Sequence, residues 1–460
     1  MTAGSSYGIA THSCANASGT TPLLLRHKDV RAWDACLAME IGRAKYDSFD
    51  FKRRRRRSRP IFSISDDERA RHLWVIGKTG VGKSTFLLNA IAQDIRAGNG
   101  VGVFDPHGDL ADAVLQLVPP KRRKDVVLFD PSDRDFPIGF NIFHNVPIER
   151  RPFVASSVVD CFKAIWGTSW GPQLEMFLYA ASAALLDFPD GTLLGLKHIM
   201  TSKTYRARVL GHVRDPAVKD FWQTDFAKHM PEKEQRERTL STLNKIGQLI
   251  TDPTVRNIIG QPRSRLSLWE IMDGRKIFVA RLAQGELGIQ KSSLIGALLI
   301  SALHTAALQR SDTRTPFHLT VDEFHNFGLG FSEMLSGIRK FGVTLTLCHQ
   351  FLGQVPDDLA EAMIGTIGAT LAFQLGGNDA ERLAKIFNLK PEELSSLEPH
   401  TAYINIGART HQLRMDPAPE RVYPASPAHI RRACRAQFAQ RREHVERRIA
   451  AFIEHTSSAR

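Results

Sequence analysis

The segment Gly77–Thr85 carries the residues in this chain that are best suited to chemistry. It reads Gly77, Lys78, Thr79, Gly80, Val81, Gly82, Lys83, Ser84 and Thr85, and its first eight residues match the phosphate-loop pattern G-x-x-x-x-G-K-S. The glycines let backbone N–H groups turn toward phosphate oxygens, at a helix N-terminus whose partial positive charge favours anions. We therefore expect Lys83 to reach the β- and γ-phosphates of ATP and Ser84 to ligate Mg²⁺.

An acidic pair much later in the chain is the second candidate for chemistry. Phosphoryl transfer needs such a pair at the end of a buried strand, and the apolar run Phe317–Val321 is followed by Asp322 and Glu323. We expect Asp322 to hold the magnesium through water, and Glu323 to polarise the attacking water as general base. An Asp-Glu pair alone is common, but beside a complete phosphate loop it becomes a strong signal.

Two further polar residues flank the strand predicted to begin at Val343. Gln350 ends this strand, next to the strand that carries the acidic pair, where its amide can sense the γ-phosphate or orient water. Arg339 lies on the helix predicted between those two strands. Considered alone, Arg339 reads as a solvated helix arginine.

The elements that must position these residues begin at His72. From there, short β-branched and aromatic runs alternate with longer amphipathic ones, a pattern typical of βαβ units around a parallel sheet. The predicted strands are Leu73–Ile76, Val101–Phe104, Val126–Phe129, Ile277–Arg281, His318–Val321, Val343–Leu347, Thr370–Gln374 and Ala402–Ile406. The sequence therefore predicts an α/β fold with a mainly parallel central sheet, and a helix at Thr85–Ala97 after the phosphate loop.

A long stretch between roughly Glu149 and Pro262 has no strand signal. It is too long for a loop, so we predict an all-helical subdomain inserted into the α/β domain. Its predicted helices are Phe153–Trp166, Gln173–Leu186, Tyr205–Val213, Ala217–His229 and Lys233–Leu249. The predicted domains are a basic, partly disordered arm (1–60, with a short helix near Val30–Ala44), an ATPase domain (61–148 and 263–427), the helical insertion (149–262) and a basic C-terminal helix (428–460, helical over His429–Ile453).

The net charge of +13 is concentrated near the two ends of the chain. Residues 1–60 carry 12 Lys or Arg against 5 Asp or Glu, and residues 428–460 carry 8 against 3, which leaves +1 for the residues between them. The run Lys52–Arg57 would bind phosphates or anionic lipid without sequence choice, or it is a solvated linker.

Composition narrows the cellular setting. The five cysteines are scattered and never paired at CxxC spacing, which excludes the usual zinc and redox motifs and suits a reducing cytoplasm. No stretch of about 18 uninterrupted apolar residues occurs. We therefore expect no integral membrane segment, and a cytoplasmic location that is either free or peripheral at the inner membrane.

Residues 72–415 resemble the HerA/FtsK superfamily of hexameric DNA-pumping ATPases, with the strongest likeness to conjugative coupling proteins of type IV secretion systems. The segments that carry this likeness are Ile76–Gly80, Phe104–Leu110, Phe129–Pro131, Gly139–Asn141, Trp170–Pro172, Val321–Phe324, Arg339–Gly342 and Gln350. The chain departs from the family at Gln173, where coupling proteins typically have Arg. It also departs in having no N-terminal membrane anchor.

The resemblance implies a RecA-like motor with a helical insertion, which uses ATP and Mg²⁺ and works as a homo-oligomer, a hexameric ring. It implies that Arg339 is an arginine finger that reaches a neighbouring subunit's nucleotide, and that Gln350 is a sensor. The implied partners are DNA, contacted mainly through its backbone and without sequence preference, and secretion-channel or relaxosome proteins.

Three functions stay open at this point. The first is a DNA translocase, either feeding a secretion channel or acting as a soluble HerA-like helicase pump in DNA processing. The second is a secretion ATPase that energises protein export. The third is a nucleotide-binding switch or scaffold with a vestigial ATPase, against which Asp322, Glu323 and Arg339 argue.

Overall fold

The computed structural model of the chain describes residues 38–44, 49–50, 55–56, 61–311, 315–328 and 330–457. The strands in this part are β1 (Ala38–Ala44), β2 (Phe49–Asp50), β3 (Arg55–Arg56), β4 (Ile61–Ser65), β5 (Leu73–Ile76), β6 (Gly100–Asp105), β7 (Val126–Phe129), β8 (Ile277–Arg281), β9 (Phe317–Val321), β10 (Val343–His349), β11 (Ala369–Ala372), β12 (Thr401–Ile406) and β13 (Arg409–Arg414).

The α-helices of the described residues are α1 (Asp66–Arg69), α2 (Lys83–Ala97), α3 (Asp109–Leu117), α4 (Arg151–Trp166), α5 (Pro172–Asp187), α6 (Gly195–Thr201), α7 (Lys203–Leu210), α8 (Pro216–Asp220), α9 (Glu232–Ile250), α10 (Pro253–Ile259), α11 (Leu268–Asp273), α12 (Gln284–Leu287), α13 (Ile289–Ala307), α14 (Phe331–Gly337), α15 (Asp357–Thr366), α16 (Gly377–Phe387), α17 (Pro391–Ser395), α18 (Ser426–Phe438) and α19 (Arg442–Ser457). A π-helix (Phe221–His229) continues α8, and 3₁₀ turns include Phe324–Phe327, Ile338–Phe341 and Leu352–Gln354.

One mixed sheet contains eleven of the described strands, in the order β4-β1-β13-β12-β11-β5-β10-β9-β6-β8-β7. The strands from β11 to β7 are parallel, and β12, β13, β1 and β4 extend the sheet as an antiparallel edge. Strand β10 lies between β5, which precedes the phosphate loop, and β9, which precedes the acidic pair. The carboxyl ends of these three strands therefore meet at the same edge of the sheet.

Apolar side chains pack on both faces of the parallel strands. Along β5, Trp74 and Ile76 join one hydrophobic cluster, and Leu73 and Val75 join another. Because side chains alternate along a strand, a strand buried on both faces reads as a continuous apolar run. The predicted α/β fold with a mainly parallel sheet is confirmed.

All eight predicted strands are present, with ends that differ by at most two residues. The sequence patterns do not predict β1, β4 and β13 of the antiparallel edge. The helix predicted near Val30–Ala44 is wrong for Ala38–Ala44, which forms β1, and its remaining residues lie outside the described ones. Met39 and Ile41 are buried at alternate positions, and β1 pairs with two distant strands that local periodicity cannot reveal.

The described elements between Arg151 and Ile259 are all helical, and α4 packs on α5 and on α13. The domain boundaries drawn from the sequence stay a prediction. None of the helices in the described part of the chain combines the length and the apolar character that crossing a bilayer requires.

The single basic helix predicted at His429–Ile453 is in fact two helices, α18 and α19. Ala439, between them, is extended and pairs as an isolated bridge with Ile138, so the helix ends there. Helix α18 packs on β7 and α3, and α19 packs on α10. Arg431 and Arg435 form ion pairs with Asp130 and Asp133, so acidic residues elsewhere in the fold compensate part of this segment's positive charge.

Candidate nucleotide site

The phosphate loop joins β5 to α2 in a backbone conformation that depends on glycine. Gly80 and Gly82 have φ angles of 80° and 115°, which only glycine adopts without strain. A Cβ atom at Gly82 would lie 2.8 Å from His400 Nδ1, so a side chain is also excluded by space. The backbone N–H of His400 donates to the carbonyl of Val81 over 2.8 Å and fixes the loop from one side.

Lys83 lies inside the curve of this loop. Its side chain is buried, and its Nζ donates to the carbonyl oxygens of Gly77 (2.6 Å) and Lys78 (2.9 Å). Ser84 and Thr85 follow on the first turn of α2, where Ser84 is exposed and Thr85 half-buried. The loop therefore presents a cation, a hydroxyl and the N-terminus of a helix at one point, which suits a phosphate group with its metal.

The acidic pair lies buried at the end of β9. Burial, together with the neighbouring charges of Glu323 and Asp105, raises the pKa of Asp322 to about 6. Glu323 adopts a left-handed backbone conformation, with φ of 43° and ψ of 50°. A conformation of this kind in a residue other than glycine costs about 1–3 kcal/mol. The fold thus holds two carboxylates beside the phosphate loop at an energetic cost.

Gln350 connects the phosphate loop to the acidic pair. Thr79 Oγ1 donates to Gln350 Oε1 over 2.9 Å, and Gln350 Nε2 donates to Glu323 Oε1 over 2.8 Å. This bridge is possible because β10, which ends just before Gln350, lies between the two strands that carry its partners. Gln350 therefore links the phosphate loop to the acidic pair through two side-chain hydrogen bonds.

The residues at this site fit a nucleoside triphosphate with Mg²⁺. Lys83 supplies a buried cation, Asp322 a buried carboxylate, and Glu323 Oε2 is a buried acceptor with no hydrogen-bond partner among the described residues. No cluster of three His, Cys, Asp or Glu side chains in the described ranges could hold a metal ion by itself. Mg²⁺ would therefore be held by Asp322, Ser84 and the phosphates, an arrangement common for this ion.

Arg339 lies near the amino end of β10, at the end of the parallel strands opposite to the phosphate loop and the acidic pair. It stands on the 3₁₀ turn Ile338–Phe341, before β10, and the length of that strand separates it from Gln350 by roughly 20 Å or more. Its side chain is exposed, and it forms no hydrogen bond or ion pair with another described residue. The structure therefore does not bring Arg339 together with the other predicted site residues of the same chain.

The segment before Arg339 is tied to the sheet by His72. The N–H of Leu345 donates to His72 Nδ1 over 3.1 Å, and His72 Nε2 lies 3.2 Å from the carbonyl oxygen of Leu335. Burial lowers the pKa of His72 to about 4, against the opposing effect of the contact with the Leu335 carbonyl and in the same direction as the Arg339 charge. The neutral ring therefore clamps the helix that leads to Arg339 onto β5 and β10.

The sequence patterns assign no role to three polar residues at this site. Asp105 accepts hydrogen bonds from the N–H groups of His107 and Ala111, and its charge acts on Asp322. His325 and Gln354 contact each other, and each contacts one member of the Glu323–Gln350 pair. Asp105 directly follows the predicted strand Val101–Phe104, which is a signal in the sequence. His325 and Gln354 follow Glu323 and Gln350 by two and four positions but match no motif.

Comparisons with known proteins identify one matching family model and several structures with the same fold. Residues 66–262 match the family model described as helicase HerA, central domain. The bacterial conjugative coupling protein TrwB is 17% identical over 77% of this chain and 87% of its own, with a TM-score of 0.57. Its complex with ADP and Mg²⁺ is 16% identical over 84% and 97%, with a TM-score of 0.58.

VirB4 of Thermoanaerobacter pseudethanolicus has the same fold. It is 13% identical over 83% of this chain and 96% of its own, with a TM-score of 0.56. A search of curated proteins finds no match to the chain. At these identities the solved structures establish a shared fold, which is the RecA-like P-loop fold that the sequence predicts.

Proposed function

We propose that this chain, a P-loop ATPase of the HerA/FtsK type similar to conjugative coupling proteins, hydrolyses ATP to move DNA. The observation that carries the proposal is the hydrogen-bonded path from Thr79 through Gln350 to Glu323. Burial and backbone strain make the position of Glu323 energetically unfavourable. Its hydrogen bond to Gln350, which contacts the phosphate loop, suggests that this position serves catalysis. The match of residues 66–262 to the HerA helicase central domain supports DNA as the cargo.

Each site residue has a separate role in the proposed hydrolysis. Lys83 binds the β- and γ-phosphates in place of the loop carbonyls that it now contacts. Ser84 and Asp322 would hold Mg²⁺, which when bound would neutralise charge on the phosphate oxygens. Glu323 accepts a proton from the attacking water, and Gln350 orients that glutamate while Thr79 reports on the phosphates.

The proposed active form is a ring of identical subunits, six in number by the family resemblance. Arg339 is exposed and lies roughly 20 Å or more from the Gln350 end of its own β10. An arginine in that position can complete a nucleotide site only in a neighbouring subunit. The clamp by His72 holds the segment that carries it in place before assembly.

The test of the proposal is ATP hydrolysis by the purified full chain, with and without single- or double-stranded DNA. We expect DNA to raise the turnover rate. Glu323→Gln should bind ATP but hydrolyse it poorly, whereas Glu333→Gln, at an exposed glutamate on α14, should leave the rate unchanged. A rate that neither kind of DNA changes at saturation would contradict DNA as the cargo and favour the protein-export ATPase.

The basic run Lys52–Arg57 has a separate proposed role, which is to raise the rate of encounter with DNA. Replacing its six residues by Gln tests this better than deleting residues 1–60, because that deletion would also remove β1 from the sheet. We expect weaker DNA binding, and a salt dependence that flattens by about 0.9 for each phosphate of double-stranded DNA that the variant no longer neutralises. DNA-stimulated hydrolysis at saturating DNA should persist, and its absence would contradict this division of roles.

A further inference from the structure

Four polar residues beside the phosphate loop form a nearly closed ring of contacts, which we call the base ring: Gln350, Glu323, His325 and Gln354. Gln350 Nε2 donates to Glu323 Oε1 over 2.8 Å. Gln354 Oε1 accepts from the backbone N–H of Gln350 over 2.9 Å, and Gln354 Nε2 lies 3.2 Å from His325 Nε2. The fourth side of the ring, from His325 back to Glu323, is the one that carries no hydrogen bond.

The tautomer of His325 follows from the other contacts of the base ring. Gln354 Oε1 accepts from two backbone N–H groups, those of Gln350 and Phe351, so the amide orientation is fixed and its NH₂ group faces His325. An NH₂ group only donates, so His325 Nε2 must accept. Burial also lowers the pKa of His325, which favours the neutral ring. A neutral ring that accepts at Nε2 carries its proton on Nδ1.

The proton on His325 Nδ1 faces Glu323. His325 Nδ1 and Glu323 Oε2 are 3.5 Å apart, and each is buried without a hydrogen-bond partner among the described residues. A buried donor and a buried acceptor left unpaired are each costly, and here they stand opposite each other. A hydrogen bond between an N–H group and a carboxylate is about 2.8 Å long. A small shift of either side chain would bring His325 Nδ1 and Glu323 Oε2 to that distance.

We propose that His325 is a positioning residue for the general base: its Nδ1–H donates to Glu323 Oε2 and closes the base ring when the site acts. This inference rests on the proposed role of Glu323 in ATP hydrolysis. With Gln350 on one carboxylate oxygen and His325 on the other, the carboxylate can no longer rotate. Each oxygen keeps a second lone pair, so Glu323 still accepts the proton of the attacking water. Gln354 fixes the tautomer that makes this possible.

The test compares three variants of the full chain: His325→Ala, His325→Asn and His325→Gln. The Asn side chain places an N–H donor near the position of Nδ1, and the Gln side chain places its amide near the position of Nε2. We expect His325→Ala to lower kcat about 10- to 100-fold, since it removes a hydrogen bond to a charged group. His325→Asn should recover much of kcat, and His325→Gln should behave like His325→Ala. The KM for ATP should change by less than about threefold in all three, because the removed hydrogen bond acts on the base.

The Asn and Gln variants are each other's control for folding, and the melting temperature of each is measured beside its kcat. A kcat of His325→Ala equal to that of the wild type would overturn the proposal. A His325→Gln variant that matches or exceeds His325→Asn would also overturn it, because His325 would then act through Gln354. All rates are measured with and without DNA. If DNA has no effect, the proposed cargo is wrong, but the comparison among the three variants still decides the role of His325.

Discussion

The two ends of strand β10 differ in how their polar groups are satisfied. At the carboxyl end, Gln350 bonds to Thr79 and Glu323, and nearby groups of the same chain complete a dense network. At the amino end, Arg339 is exposed and has no hydrogen bond or ion pair with another described residue. The polar groups at the carboxyl end are thus hydrogen-bonded within one chain. At the amino end, the Arg339 charge has no partner among the described residues of its own chain. This difference is what the proposed ring requires, in which Arg339 completes the nucleotide site of a neighbouring subunit.

The largest expected effect comes from removing the charge at the amino end. Arg339→Ala should lower the ATPase rate of the assembled protein by roughly 10³- to 10⁵-fold, the range for arginine fingers supplied in trans. It should leave the melting temperature and ATP binding unchanged, because the side chain has no partner among the described residues. Lys340→Ala, at the adjacent exposed cation, is the matched control and should retain most of the activity. Equal losses in the two variants would point to surface charge in general.

Mixing two inactive variants tests whether the two ends belong to different chains. Lys83→Ala removes the cation for the β- and γ-phosphates, and Arg339→Ala removes the finger. In mixed rings, some interfaces pair an intact phosphate loop with an intact finger, so hydrolysis should recover in part. If activity instead remains full in a dilute and demonstrably monomeric wild-type sample, Arg339 returns to the role of a solvated arginine.

A smaller loss is expected when the network at the carboxyl end is broken. Gln350→Ala removes a bond to a carboxylate, worth about 1.5–3 kcal/mol, and should lower kcat about 10- to 100-fold. Thr79→Val removes only the neutral bond to Gln350, worth about 0.5–1.5 kcal/mol, and should cost about tenfold or less. Steady-state kinetics on both variants checks this order. The reverse order would show that Thr79 acts on the phosphates directly and not through Gln350.

The smallest expected effect is a pH dependence of the free energy of unfolding. It arises because a buried, neutral histidine lies near each end of β10, His72 near the amino end and His349 at the carboxyl end. Burial lowers the pKa of His72 to about 4 and that of His349 to about 3, from an ordinary value of 6.5. Between about pH 6.5 and pH 4 the unfolded chain therefore binds protons that the folded chain does not. The free energy of unfolding should fall as the pH drops through this window, by up to about 1.4 kcal/mol per pH unit for each such histidine.

Urea unfolding at several pH values between about 7 and 5 measures this slope. A His72→Asn variant should show a shallower pH dependence than the wild type, because one proton-linked group is gone. His229→Asn, at an exposed histidine, is the control and should keep the wild-type slope. An unchanged slope in His72→Asn would mean that His72 titrates alike in the folded and unfolded chains.

Where motif and strand coincide, the structure brings the predicted site residues together at one end of the parallel strands. Asp322 and Glu323 follow an apolar run that ends where phosphoryl-transfer chemistry needs acids, and the phosphate loop matches its pattern in full. The predicted position of Gln350, beside the strand of the acidic pair, agrees with the pairing of β10 and β9. No local pattern places β5 on the other side of β10, which the bond from Thr79 to Gln350 requires. His325 and Gln354 lie in 3₁₀ turns after β9 and β10, and no motif marks the contact between them.

The errors in the predicted fold have similar causes. Strand β13 reads Arg-Thr-His-Gln-Leu-Arg and buries only Leu413, so it lacks an apolar alternation and is stabilised by pairing with β12 and β1. The predicted helix His429–Ile453 is interrupted between Phe438 and Arg442, although the sequence has a helical pattern of apolar residues on both sides of this interruption. The break at Ala439 arises from a backbone bridge to Ile138, about 300 positions earlier. In both cases a distant segment overrides the local preference.

The pairing of β1 with β13 also sets an order for assembly during synthesis. Arg43 Nε and Asp416 Oδ1 form an ion pair across this edge, 373 positions apart along the chain. A ribosome that adds about 5–20 residues per second needs roughly 20–75 s to deliver the partner after β1 has been made. During that interval β1 can pair with β4 but leaves its other edge open, and an open edge is a template for foreign strands. The pairing of β13 with β1 is therefore a late step in the folding of each newly synthesised chain. We expect such chains to be most prone to aggregation before this step.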